Sequence, residues 1–233
     1  MPAYRHLFFD LDRTLWDMDR NSRETLAELF HKYKLPERGI TSFELFVKQY
    51  NEFNKILWGL YSQGKIDQAS LRVLRYRQTL GHFGIKDDKL ARAFGKDYIA
   101  QGPLKPHLIP GTMETLEKLA PHFKLHIITN GFEEVQHIKM KTSGLKPFFK
   151  EIITSEQSGY KKPDPKMFAY ALKKCKVKTD EVIMIGDDYE ADISGAKKAG
   201  WDQIWFTENK PETEWEATHI INSLEALPAI LLR

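Results

Sequence analysis

Leu7-Phe8-Phe9 leads into Asp10-Leu11-Asp12-Arg13-Thr14, and Leu125-His126-Ile127-Ile128 leads into Thr129-Asn130-Gly131. Gly159-Tyr160-Lys161-Lys162-Pro163 forms a third polar cluster. Val182-Ile183-Met184-Ile185 runs into a fourth, Gly186-Asp187-Asp188, with Asp192 beyond it. Carboxylates, a hydroxyl and an ammonium in this order are what metal-assisted phosphoryl transfer through an aspartyl intermediate requires. Asp10 and Asp12 are two residues apart, so an extended backbone puts both side chains on one side. Asp10 can then attack phosphorus, while Asp12 protonates the departing oxygen and later deprotonates the hydrolytic water. Thr129, Asn130 and Lys162 are the candidates for binding the phosphoryl oxygens of a small phosphomonoester. Asp10, Asp12, Asp187, Asp188 and Asp192 are the candidate metal ligands, and an all-oxygen shell favours Mg²⁺.

Each cluster alone has an ordinary reading. Thr129-Asn130-Gly131 could be a turn, Lys161 and Lys162 solvated charges, and Asp187-Asp188 an N-terminal helix cap. What sets them apart is their shared placement at the ends of strand-length apolar runs. Leu7–Phe9, Leu125–Ile128, Ile152–Ile153, Val182–Ile185 and Gln203–Phe206 have strand length. Helical patterns near 111–120, 132–143, 165–175 and 189–199 separate most of them, which predicts a parallel sheet wound on both faces. Carboxylates at the C-terminal ends of such strands face the crevice where ligands bind. Gly144 and Gly200 stand where helix stops are expected, and Pro110-Gly111 and Pro163-Asp164-Pro165 where helices open. The stretch from 20 to 101 reads as helix throughout. Asn21-Ser22-Arg23-Glu24 resembles a capping box. Phe43, Phe46, Tyr50, Phe53, Leu57 and Leu60 form an amphipathic stripe, and further helices start near Asp67 and Asp87. The expected fold is α/β, a doubly wound (Rossmann-like) parallel sheet core with an inserted α-helical bundle. Residues 1–16 and 106–233 form the core domain and 17–105 the helical insert, joined by connections near 16–20 and 102–110.

The formal net charge of +3 comes from scattered basic residues rather than a stripe, so nucleic acid is not indicated. Apolar runs fall far short of a membrane span, and Asp10 and Asp12 interrupt the N-terminal one, so a cytoplasmic protein without membrane partners is expected. The single cysteine, Cys175, sits in a helical pattern and reads as a half-buried structural thiol. The sequence is silent on oligomeric state.

Taken together, the four clusters resemble the motifs of the haloacid-dehalogenase-like superfamily over roughly residues 6–206. Asp10-Leu11-Asp12-Arg13-Thr14 is similar to its first motif, with nucleophile and general acid/base. Thr129 is similar to the second, Lys162 to the third, and Gly186-Asp187-Asp188-Tyr189-Glu190-Ala191-Asp192 to the acidic fourth. The resemblance implies Mg²⁺ held by Asp10, the main-chain carbonyl of Asp12, and Asp187, with Asp188 or Asp192 assisting. It also implies that the helical insert is a cap that closes over substrate and selects the leaving group. True dehalogenases of the superfamily lack the second aspartate, so Asp12 disfavours dehalogenation. Phe8–Asp17, Ser158–Pro163 and the long insert look most like the pyrimidine nucleotidase branch, which acts on nucleoside 5′-monophosphates. Sugar-phosphate phosphatases and phosphomutases of the superfamily are the alternatives. Arg13 departs from the family, where short residues are commoner at that position; it could reach substrate phosphate or point to solvent.

His126 reads as a core residue. Tyr50, Trp58 and Tyr61 read as bundle packing, with base stacking on Trp58 or Tyr61 as the functional alternative. Trp201 and Trp205 are expected at the sheet edge. A receiver-type phosphoaspartate signalling domain would share the acids, Thr and Lys, but it lacks a helical insert after its first strand. A non-catalytic interaction module has only Arg13 in its favour.

Overall fold

The computed structural model describes residues 4–207 and 216–232. Asp19–Lys105 forms one compact unit, and the described residues up to Met18 and from Pro106 onward form the other.

In the larger unit, β1 (His6–Phe9) is followed after the inserted unit by α5 (Thr112–Leu119), β2 (Lys124–Thr129), α6 (Glu133–Thr142) and β3 (Phe149–Thr154). The insert supplies α1 (Met18–Lys32), α2 (Phe43–Ser62), α3 (Gln68–His82) and α4 (Asp88–Gln101). After β3 come α7 (Ser155–Ser158), α8 (Pro165–Cys175), β4 (Val182–Gly186), a π-helical turn (Tyr189–Ser194), α9 (Gly195–Lys198) and β5 (Asp202–Phe206). Then follow β6 (His219–Ile221) and α10 (Leu227–Leu231). The strands form one six-stranded sheet in the order β3-β2-β1-β4-β5-β6, and every pairing is parallel.

The pleat explains the continuous apolar runs. Leu7, Phe9, Leu125, Ile127, Ile183 and Ile185 point into one core, and Phe8, Ile128, Ile153, Val182, Met184 and Trp201 into the other. Both faces are covered, as an all-parallel sheet demands. Chain order reverses on either side of β1, so β1 and β4 are neighbours, with Phe9 opposite Ile185. A crevice therefore opens at the C-terminal ends of these two strands. Gly144 and Gly200 take φ +76° at the stops of their helices, and Asp164 caps α8 through Lys166 N with Pro165 at the first position.

In the helical unit, Leu26, Leu29, Phe30, Phe46, Tyr50, Tyr76, Phe94 and Tyr98 share a core. Asp67 and Asp87 cap α3 and α4 through the amides of Ser70 and Leu90. Among the described residues no helix is long and apolar enough to cross a membrane.

Four expectations need correction. Helix α1 starts at Met18, so Asn21 and Ser22 lie inside it rather than capping it. Both are buried, and Ser22 Oγ accepts a hydrogen bond from the Tyr98 hydroxyl at 2.7 Å, so a tertiary contact takes the place of a cap. The single helix expected over 189–199 is a π-helical turn followed by one short α turn. β5 is not an edge strand, because β6 pairs beyond it, so Trp205 lies within the sheet. Trp201 is core, packed on Phe8 and Phe168.

Candidate active site

Asp10 follows β1 and Asp187 follows β4, and the pairing of these strands brings the two acids together. Carboxylate oxygens of Asp10, Asp187 and Asp192 all lie within 4.8 Å of one another. Lys162 is buried between two of them, with Nζ 2.6 Å from Asp10 Oδ1 and 2.6 Å from Asp192 Oδ1. Asn130 fixes the loop that carries this lysine. Its Nδ2 donates to the Lys162 carbonyl at 2.9 Å, and its Oδ1 accepts from the Lys162 amide at 2.8 Å. The Asn130 side chain thus positions Lys162.

Asp192 arrives through the π-helical turn. A π turn is wider than an α turn and occurs often at functional sites. Here Asp188 caps it by accepting from Ala191 N at 2.9 Å, while Asp192 Oδ2 accepts from the Asp188 amide at 3.1 Å. The Asp192 side chain packs against Gly186, where an added Cβ would lie 2.3 Å from Oδ2. Asp188 is exposed and stands outside the carboxylate cluster, so of the two residues that sequence left open, Asp192 is the one inside. Asp187 is held at two points. Its Oδ1 accepts from Thr14 Oγ1 at 2.9 Å, and its main-chain carbonyl accepts from Trp205 Nε1 at 2.9 Å.

The charge balance here is uneven. Burial raises the Asp187 carboxyl to about 7, and the neighbouring Asp10 charge adds to that rise against Thr14, Arg13 and Lys162. Burial also raises Asp10 and Asp192, outweighing the attraction of Lys162, and the same two carboxylates keep the Lys162 ammonium charged despite burial. Three carboxylates face one ammonium, with hard oxygen donors only. This donor set fits a divalent cation of the Mg²⁺ kind, which would relieve the repulsion.

Asp12 stands apart from the cluster. Its Oδ1 accepts from Lys139 Nζ at 2.6 Å and its Oδ2 from Gln136 Nε2 at 3.0 Å. Both partners sit on the buried face of α6, and Lys139 also lies over the Trp16 ring at 4.3 Å from its centroid. The carboxylate of Asp12 is therefore steered away from the metal-type cluster. Thr129, at the end of β2, is buried, and its Oγ1 accepts from Gly131 N at 3.0 Å and from Gln136 Nε2 at 2.8 Å. With both lone pairs engaged, its hydroxyl is left to act as a donor. A Cβ at Gly131 would fall 2.1 Å from Gln136 Nε2, so a larger residue there would have to displace the Gln136 side chain. Arg13 is exposed in a left-handed conformation, φ 66°, with its charge acting on Asp187.

The site roles of Thr14, Gln136, Lys139 and Trp205 are not among the sequence expectations. Gln136 and Lys139 had a signal: they are polar residues three apart on the face of α6 that must meet the sheet. Trp205 had none, because its partner is a backbone carbonyl.

Residues 4–200 match the family described as haloacid dehalogenase-like hydrolase. The pyrimidine 5′-nucleotidase PynA of Streptococcus pneumoniae (strain ATCC BAA-255 / R6) is 31% identical, over 92% of this chain and 88% of its own. The pyrimidine 5′-nucleotidase YjjG of Escherichia coli (strain K12) is 30% identical, over 97% of each chain. Among solved structures, the magnesium-bound HAD-hydrolase YfnB of Bacillus subtilis superposes with a TM-score of 0.89 at 30% identity, covering 99% of this chain and 100% of that one.

Proposed function

Because the chain belongs to the haloacid dehalogenase-like hydrolase family, we propose that it is a Mg²⁺-dependent phosphatase. Its substrate is a small phosphomonoester, a nucleoside 5′-monophosphate in the first instance, hydrolysed through an aspartyl phosphate on Asp10. The observation that carries this reading is the convergence of Asp10, Asp187, Asp192 and Lys162 at the C-terminal ends of neighbouring parallel strands. Asp12 is held nearby, under separate control by Gln136 and Lys139.

An Asp10 carboxylate oxygen attacks phosphorus, and the bond to the leaving oxygen breaks with its electron pair. Asp12 delivers a proton to that oxygen. A water then attacks the acyl phosphate while Asp12 takes its proton, and phosphate leaves with the Asp10 carboxylate restored. Lys162 neutralises phosphoryl charge, and Thr129 donates its free O–H to a phosphoryl oxygen. Mg²⁺ held by Asp10, Asp187 and the Asp12 carbonyl, with Asp192 behind them, would supply further charge neutralisation to the transferring group. Asn130, Thr14 and Trp205 act as positioning residues.

The nucleotide preference rests on the two nucleotidase relatives, each aligned with more than nine-tenths of this chain. A panel of nucleoside monophosphates, sugar phosphates and an aryl phosphate, assayed with and without Mg²⁺, tests it. Faster turnover of UMP, dUMP or dTMP supports the nucleotidase reading. A sugar-phosphate preference would keep the phosphatase and discard the nucleotidase, and no release from any member would overturn both.

A further inference from the structure

The N-terminal ends of the strands, opposite the end that carries the acids, border a cavity of about 460 Å³. β1 separates its lining from Asp10 by about 13 Å of strand, at about 3.3 Å per residue. Arg5, His6, His122, Lys124, Lys150 and Lys176 line it, and Glu181 is the one acid among its lining residues. That acid is already paired with Arg5, at 3.3 Å. Among the described residues no carboxylate pairs with Lys124, Lys150 or Lys176. The backbone holds two of the cations together, since the Lys124 amide donates to the Arg5 carbonyl at 2.9 Å. Lys176 occupies the left-handed C-cap of α8 at φ 56°, a position that favours glycine, and there it contributes to the cavity wall.

A buried relay points the same way. His6 Nδ1 lies 2.9 Å from His126 Nε2 with the rings stacked, and His126 Nδ1 lies 3.5 Å from Cys175 Sγ. Burial raises the Cys175 thiol to about 11 and lowers His126 to about 3, so the thiol keeps its proton and the imidazole is neutral. We take the S–H as the donor to His126 Nδ1, the arrangement that the NMR test below checks. In that arrangement His126 carries its proton on Nε2 and donates to His6 Nδ1. His6 is left with an N–H on Nε2, a donor on a ring that lines the cavity.

We propose that this cavity is a second anion site, distinct from the reaction centre, that binds a free phosphate-bearing small molecule through Arg5, Lys124, Lys150 and Lys176 with His6 Nε2–H as its central donor. Its volume suits such a ligand, and Lys124, Lys150 and Lys176, which have no acid partner among the described residues, leave the lining with an excess of positive charge that complements an anion.

The test is titration of inorganic pyrophosphate into the full chain, with ¹⁵N-histidine signals followed by NMR. The expected result is both rings neutral with protons on Nε2, and a saturable shift of the His6 signals. Lys124→Ala and Lys176→Gly should each weaken that response about three- to fivefold, the effect of a solvent-exposed charge. Lys176→Gly should leave the thermal midpoint unchanged or raised, which separates anion binding from loss of fold. A His6 proton on Nδ1, no saturable shift up to about 10 mM, or a response in both variants equal to that of the wild type would overturn the proposal. So would binding to phosphatidylserine vesicles with no response to pyrophosphate.

Discussion

Asp187→Asn isolates the electrostatic frustration of the site. Asn keeps an Oδ1 that can still accept from Thr14 Oγ1, so the principal change is loss of a titrating charge. Asp187 sits at about 7 in the folded chain against an ordinary 3.8, because burial and the Asp10 charge both oppose ionisation. A folded-state pKa above the unfolded one contributes stability that is complete below about pH 4 and is lost as pH climbs through about 7. The gap of about three pH units, at about 1.4 kcal/mol each, amounts to about 4 kcal/mol. The metal-free variant should therefore match wild type near pH 4 and exceed it by up to about 4 kcal/mol at pH 8. At roughly 2–4 °C per kcal/mol for a chain of this size, that is about 8–16 °C in Tm. Mg²⁺ at pH 8 should raise the wild-type Tm by mass action and leave the variant nearly unmoved. Calorimetry from pH 4 to 8, with EDTA and then with Mg²⁺, reads both effects. Parallel pH profiles for the two proteins, or equal Mg²⁺ stabilisation, would refute the reasoning.

Lys162→Ala leaves Asp10 and Asp192 without their shared cation, so stability should fall by about 3–5 kcal/mol and kcat by about 10²–10³-fold; urea melts and steady-state kinetics check each figure. Lys139→Met removes one of the two groups that fix Asp12, and kcat should drop about 100-fold with KM little changed; an equal change in both parameters would mean Lys139 acts on binding. Gly186→Ala pushes a methyl against Asp192, so it should cost about 1–3 kcal/mol and weaken Mg²⁺ stabilisation, both measurable by thermal shift.

The sheet and the charged centre were legible because each depends on local pattern. Short apolar runs ending in Asp10, Thr129 and Asp187 fix the strands and their C-terminal ends, and helical spacing between them implies parallel pairing. The rest depends on tertiary context. The capping-box pattern at Asn21–Glu24 is locally sound, yet Tyr98 takes up the Ser22 hydroxyl inside α1. The three-residue β6 is too short to register in sequence, and its presence places Trp205 within the sheet rather than at its edge. Asp188 and Asp192 are chemically equivalent on paper. The π turn and the close approach at Gly186 separate them, and neither has a sequence signature. Asn130 is a candidate substrate ligand from the sequence, and the fold adds a role that no pattern shows, because its side chain bonds both the amide and the carbonyl of Lys162.

The most direct test of the central claim is single-turnover phosphate release from a nucleoside monophosphate in Mg²⁺, with acid-quenched enzyme digested and analysed by mass spectrometry. The account predicts a transient phosphoryl group on the peptide carrying Asp10, and neither phosphopeptide nor phosphate from Asp10→Asn. Wild-type turnover in Asp10→Asn, or a phosphoryl group on any other residue, would contradict it.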